Sequence, residues 1–80
     1  MDKKHIKHVK KHLKWRLQTR FNIRGFGQAK LQKMALLALI NAKVLRTKED
    51  GKIELLTLFM GQKMKMVYCM ETNLVFTAYK

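Results

Sequence analysis

The chain has 80 residues, which is enough for one domain, and its 18 Lys and Arg against five Asp and Glu give a formal net charge of +13. Hydrophobic residues make up 48% of the sequence, so we expect a folded domain rather than a disordered one. A globular fold does not need this excess of positive charge, which opposes compaction by self-repulsion. The composition therefore indicates a polyanionic partner, either nucleic acid or an anionic membrane surface.

Several features favour nucleic acid over a membrane. The longest apolar run, residues 34–40, is far shorter than the ~20 residues that a membrane-spanning helix needs. No apolar segment follows the charged N-terminus, so no signal peptide is predicted. A single cysteine, Cys69, excludes an internal disulfide and fits a reducing cytosol. We therefore expect a cytoplasmic protein that does not bind membranes.

Two helices are predicted in the first half of the chain. Residues 4–20 form the first, because Ile6, Val9, Leu13 and Leu17 recur at spacings of three and four and make one apolar stripe. Residues 21–27 contain two glycines and are predicted to form a loop. The second helix is expected over residues 28–42, and it is so apolar that we expect it to be buried against a sheet.

The second half is predicted to be a four-stranded antiparallel sheet. Strands are expected at residues 44–47, 53–60, 63–68 and 74–79, the second of them apolar on both faces and so central in the sheet. Gly51 can adopt the positive φ that a hairpin turn requires. In the third strand, alternation of Lys with Met predicts one solvated and one buried face. The fold class is therefore α+β, a single domain over residues 1–80 with two N-terminal helices packed on the sheet.

A row of cations follows one face of the first helix. His12, Arg16 and Arg20 are spaced by four, which stacks their side chains over successive turns. Arginine offers paired donors to phosphate oxygens, and histidine can exchange protons near neutral pH. The alternative is a solvated basic face that binds phosphates without chemistry. Further candidate nucleic-acid contacts are Lys4, His5, His8, Lys11, Lys63 and Lys65.

Thr77 and Tyr79 form a second candidate group on the last strand. They alternate with Phe76 and Ala78, so both are expected on one face of the sheet. Hydroxyl groups there can orient a phosphate, and a tyrosine can stack on a base. The alternative is the ordinary preference of Thr and Tyr for strands.

Other residues give weaker signals. His5, His8 and His12 lie on one predicted helix with few acidic neighbours, so we expect no metal site and no cofactor. Cys69 is expected to be a buried thiol. Trp15 is either a lid on the core or a stacking platform.

The two ends of the chain resemble a known family. The run from His12 to Ile23, with Arg16 and Arg20 four and eight residues after the histidine, resembles the opening helix of small bacterial and phage domains. These domains are grouped with the RelE, BrnT, colicin, barnase and EndoU ribonucleases. Residues 74–79 resemble the last strand of that family, which ends in Thr-x-Tyr. The second helix, Val44-Leu45 and the Asp50-Gly51 hairpin fall in the expected order, so the resemblance covers nearly the whole chain.

This resemblance implies a RelE-like fold and a metal-independent endoribonuclease, acting as a toxin or a phage-encoded host-attack factor. His12 would be the acid/base, Arg16 and Arg20 would hold the phosphate, and Thr77 and Tyr79 would position the scissile group. Attack by the 2′-hydroxyl of the RNA would leave a 2′,3′-cyclic phosphate. The basic N-terminal segment would be a separate contact with RNA or with the ribosome.

Two other functions remain open from the sequence. One is a non-catalytic nucleic-acid-binding protein, which the net charge alone would explain. The other is a module whose basic face docks on an acidic protein, such as an antitoxin or a host protein. Non-catalytic nucleic-acid binding can be distinguished from ribonuclease activity by whether His12 approaches Thr77 and Tyr79 in the folded protein.

Overall fold

A computed structural model describes the backbone of residues 3–80 and the side chains of residues 7–80. Its helices are α1 (Lys3–Phe21) and α2 (Gln28–Ala38), with a short 3₁₀ helix (Leu39–Asn41) after α2. Its strands are β1 (Lys43–Thr47), β2 (Lys52–Phe59), β3 (Gln62–Cys69) and β4 (Leu74–Tyr79). The predicted α+β class is confirmed, as are two helices followed by a four-stranded antiparallel sheet.

Helix α1 lies against β4 and buries one stripe of side chains. Val9, Leu13, Leu17 and Phe21 are all at most 5% exposed, and their spacing of four keeps them on one side of the helix. The predicted stripe was therefore correct from Val9 onward, while the side chain of Ile6 lies outside the described residues. Phe21 belongs to the helix rather than to the loop, and the side-chain amide of Gln62 donates a hydrogen bond to its carbonyl oxygen at 3.1 Å.

Helix α2 is shorter and less buried than its composition predicts. It ends at Ala38, four residues before the predicted end, and the chain continues as the 3₁₀ helix. Leu31 and Ala35 are buried, but Leu37 is 59% exposed and Ile40 is 75% exposed. The expectation that the whole apolar surface is buried was therefore wrong for Leu37 and Ile40, whereas the other large apolar residues of this segment are buried or pack partly buried against the core.

The sheet is a simple meander in which each strand pairs with the next along the chain. Its three turns use residues with positive φ, namely Gly51 (81°), Gly61 (78°) and Asn73 (55°). Met64 and Met66 of β3 are buried on the side of the helices, so the predicted alternation in this strand is confirmed. Strand β2 is central, as expected, although Leu58 on its other face is 62% exposed.

Strand β4 contains an irregularity that the sequence does not predict. Thr77 pairs with Val67 and Val75 with the adjacent Tyr68, so Phe76 is an extra residue in the ladder. Such a bulge interrupts the alternation of side chains between the two faces. Val75 and Ala78 are consequently both buried under the helices, although strict alternation would place them on opposite faces of the sheet. Thr77 and Tyr79 do share one face, as expected.

Candidate functional site

The predicted cation row runs along the edge of the buried stripe of α1. His8, His12, Arg16 and Arg20 each precede a buried stripe residue by one position, which turns them about 100° away from the core. His12 and Arg16 are half-buried, whereas His8 and Arg20 are exposed. Lys11 is exposed elsewhere on the helix, and the side chains of Lys4 and His5 lie outside the described residues.

His12 and Arg16 form a hydrogen-bonded pair within this row. Arg16 Nε donates to His12 Nε2 at 3.4 Å, which requires that this imidazole nitrogen carry no proton. Burial lowers the pKa of His12 below its ordinary value of 6.5, and the charges of Arg16, His8 and Arg20 lower it further. The imidazole is therefore neutral at neutral pH and is able to accept a proton.

Trp15 flanks this pair and is not a lid on the core. Its side chain is 52% exposed, and the guanidinium carbon of Arg16 lies 5.0 Å from the centre of its ring. The Trp15 and His12 ring centres are 6.0 Å apart. The cation–π contact and the bond to His12 together hold Arg16 in one position, with its remaining N–H groups available to a ligand.

The histidine side of α1 faces the last strand. His8, Val9, His12 and Phe76 line a cavity of about 210 Å³ between the helix and β4. Phe76 is the bulge residue that directly precedes Thr77, so the structure brings His12 next to the strand that carries Thr77 and Tyr79. Within the described part of the chain, however, no hydrogen bond joins His12 to either of these hydroxyl groups.

Thr77 and Tyr79 lie on the sheet face that points away from the helices. The hydroxyl of Tyr79 donates to Oε1 of Glu54, and Nζ of Lys65 lies 5.8 Å from the centre of its ring. Lys63 is on the same side of β3 as Lys65 and is exposed. Burial and the bond to Glu54 raise the pKa of Tyr79, so the phenol stays protonated. The sequence predicted these residues but not the carboxylate to which Tyr79 is bound.

Glu54 and Arg46 are functional candidates that the sequence analysis missed. Glu54 is 3% exposed, and its Oε2 accepts a hydrogen bond from Nε of Arg46 at 2.6 Å. The hydrogen bonds from Tyr79 and Arg46 hold the pKa of Glu54 below its ordinary value. The only signal in the sequence is one carboxylate within an apolar strand of a chain that has few acidic residues.

An apolar groove of about 360 Å³ lies between the end of α2 and the sheet. Its lining consists of Leu36, Leu39, Ile40, Ile53, Leu55, Tyr68 and Asn73. Among the described residues, no charged side chain contributes to this lining, so the groove lacks the charge-assisted donors that bind phosphates most strongly. We therefore place the candidate site at α1 and β4.

Metal ligands and membrane helices are two further features that bear on function. Over the described residues, no three or more His, Cys, Asp or Glu side chains come together in a way that could hold a metal ion. Cys69 is buried, as expected. None of the helices described is both long and apolar enough to cross a membrane.

Comparison with protein-family models, with curated proteins and with solved structures finds no match for this chain. The function must therefore be inferred from the geometry of α1 and β4 and from the resemblance of the two end segments described above.

Proposed function

We propose that this protein is an endoribonuclease that cleaves RNA through the 2′-hydroxyl of its substrate, with no metal ion in the reaction. The observation that carries the proposal is the placement of His12. This residue is neutral, is bonded to Arg16, and lines a cavity with Phe76 beside Thr77. A neutral imidazole beside a guanidinium that is held in place can serve as the base of such a reaction, while Thr77 and Tyr79 lie on the opposite face of the sheet and take no part in this step.

The reaction begins when the Arg16 Nε–H group leaves Nε2 of His12 for a phosphate oxygen, and the freed Nε2 accepts the proton of the 2′-hydroxyl. The 2′-oxygen then forms a bond to phosphorus while the bond from phosphorus to the 5′-oxygen breaks. The departing 5′-oxygen takes a proton from solvent, and His12 returns its proton to solvent. The products are a 2′,3′-cyclic phosphate and a 5′-hydroxyl. Arg16 and Arg20 stabilise the additional negative charge of the pentacoordinate phosphorane.

Incubation of the purified protein with total RNA in excess EDTA tests this proposal, with His12→Ala as the partner variant. We expect fragments that end in a 2′,3′-cyclic phosphate with the wild type and none with the variant. RNA affinity should stay within a few-fold, since one side chain among many cations is lost. Lys33→Ala is the control, because it removes an exposed cation of α2 outside this cavity, and it should cleave RNA as the wild type does. Cleavage by His12→Ala at the wild-type rate would show that His12 is not the acid/base.

A second candidate function is RNA binding without cleavage. It is favoured by the position of Thr77 and Tyr79, which lie on the sheet face away from the helices, with the Tyr79 hydroxyl bonded to Glu54. Binding that is sensitive to salt, with no cleavage of free RNA or of ribosome-bound message, would favour this function. A complex with an acidic protein that survives salt concentrations able to strip RNA would instead favour a protein partner such as an antitoxin.

A further inference from the structure

A buried carboxylate lies on the sheet face that points away from the helices. Glu54 stands near the centre of this face, with Arg46 opposite it on β1 and Val67 opposite it on β3. It is 3% exposed, although no helix covers this side of the sheet. An ionised carboxylate at such burial is costly unless it is paired and hydrogen-bonded, so its partners are the key to its role.

Each carboxylate oxygen of Glu54 accepts a hydrogen bond, and the two donors lie on the two edge strands of the sheet. Oε2 accepts from Nε of Arg46 on β1, and Oε1 accepts from the hydroxyl of Tyr79 on β4. These partners stand eight and 25 residues away in the chain. Arg46 and Tyr79 are therefore held next to each other by one carboxylate that is itself shielded from solvent.

The two groups that Glu54 holds remain accessible to a ligand. The side chain of Arg46 is 68% exposed even though its guanidinium contacts both Glu54 and the Tyr79 hydroxyl, so much of the group is accessible to solvent. Tyr79 is half-buried and has the Lys65 ammonium group over its ring at 5.8 Å. Lys52 lies in the same way over Phe76, at 5.1 Å. Cations beside aromatic rings are typical of surfaces that bind the phosphates and bases of single-stranded nucleic acid.

We infer that Glu54 is a positioning residue, which fixes Arg46 as a ligand for an RNA phosphate and Tyr79 as a platform for an adjacent base, which would take the place of the Lys65 ammonium group over the ring. Glu54 itself does not touch the RNA. The inference rests on the proposed function, because it takes RNA as the ligand. Its physical basis is that a fixed guanidinium loses less conformational entropy on binding than a free one does.

The charge of Glu54 gives this inference a test with a definite sign. Glu54→Gln removes a negative charge, so a purely electrostatic surface would bind RNA more tightly after the change. The positioning role predicts the opposite, a loss of roughly twofold to tenfold, because the side chains it frees must be ordered again on binding. Glu71→Gln changes the net charge equally at an exposed position, and it should leave the affinity unchanged or slightly higher.

The probe is a fluorescein-labelled oligouridylate with 2′-O-methyl sugars, which cannot be cleaved, and the affinity is measured by fluorescence anisotropy. Tyr79→Phe is the second variant, since it keeps the ring and every charge but removes the hydroxyl that bonds Glu54. We expect weaker binding for Tyr79→Phe as well. Tyr68→Phe is its control, because the hydroxyl of Tyr68 bonds Asn73 at a turn instead.

A readout without RNA separates failure of the inference from failure of the proposed function. In a Tyr68→Phe background only Tyr79 titrates among the tyrosines, and adding Glu54→Gln should lower its pKa, because the negative charge that disfavours the phenolate is replaced by a neutral amide. If the titration moves but the wild type and Glu54→Gln bind the probe equally, the positioning role is wrong and the proposed function stands. If the wild type does not bind the probe at all, the positioning role is wrong, and the cleavage of total RNA in EDTA decides the proposed function separately.

Discussion

The side-chain amide of Gln32 forms two hydrogen bonds with the backbone of Val75. Its Nε2 donates to the carbonyl oxygen at 2.6 Å, and its Oε1 accepts from the N–H at 3.0 Å. Strand β4 is at the edge of the sheet, so the amide takes the place that a further strand would have there. This clamp stands directly before the bulge at Phe76 and fixes α2 to the strand that carries Thr77 and Tyr79.

Gln32→Leu should therefore destabilise the protein by about 2 to 6 kcal/mol, because two buried backbone groups lose their partners at roughly 1–3 kcal/mol each. Chemical denaturation monitored by circular dichroism measures this loss. Gln28→Leu at the start of α2 is the control and should change the free energy of unfolding by less than about 0.5 kcal/mol. Equal effects of the two substitutions would contradict a special role for the clamp.

The cleavage rate should depend on the protonation of His12. The pKa of this residue lies below 6.5, and the proposed base is active only when neutral, so kcat/KM should be constant around neutral pH and fall in more acidic solution. Arg16→Gln removes one of the charges that lower this pKa, so the acidic limb should move to higher pH. Arg24→Gln is the control, because the guanidinium of Arg24 bonds Asn22 rather than His12, and the acidic limb should not move. If the acidic limb does not move in Arg16→Gln, the group that titrates is not the His12 that is bonded to Arg16.

Acid should weaken the fold partly through Glu54. Its pKa is lowered in the folded protein, so the stabilisation is complete above the ordinary value of 4.5 and is lost as the pH falls below it. The free energy of unfolding should therefore decrease between about pH 7 and about pH 3, and this decrease should be smaller in Glu54→Gln than in the wild type. Urea denaturation at the two pH values provides the comparison. Glu71→Gln should retain the pH dependence of the wild type, because Glu71 is exposed.

Salt should reveal which cations contact the RNA backbone. For a single strand, each phosphate contact contributes about 0.7 to the slope of the logarithm of affinity against that of salt concentration. Arg20→Ala should lower this slope by about 0.7, since we place Arg20 on a phosphate. Lys33→Ala in α2 removes an exposed cation outside the proposed site and should leave the slope unchanged. The non-cleavable probe is suitable for both measurements.

Local pattern was sufficient to predict the elements of the fold. The spacing of Val9, Leu13 and Leu17 predicted the buried side of α1, and the turn chemistry of Gly51 predicted the first hairpin. These signals arise from neighbours in the chain, which is why they can be seen in the sequence. The end of α2 was predicted less well, because an apolar residue such as Ile40 looks the same whether a helix ends before it or includes it.

The candidate site was predictable only in part. His12, Arg16 and Arg20 share a face because helical periodicity requires it, so the sequence alone grouped them. Glu54 was not predicted, because its burial depends on partners that become neighbours only when the sheet forms. The bulge at Phe76 was missed for a related reason, since alternation assumes a regular ladder and no glycine marks the irregular position.

The extra residue in β4 determines the side of the sheet on which the chain's last hydroxyl groups lie. If Phe76 took a regular place in the ladder, alternation from Val75 onward would bring Thr77 and Tyr79 to the side of the helices. A tyrosine now bonded to Glu54 would then point into the apolar layer. Deletion of Phe76 would instead keep both hydroxyl groups on their present face, because the pairs on either side of the bulge already have the register of a regular strand. The surface beside Glu54 therefore depends on the place of the bulge in β4 rather than on the length of the strand.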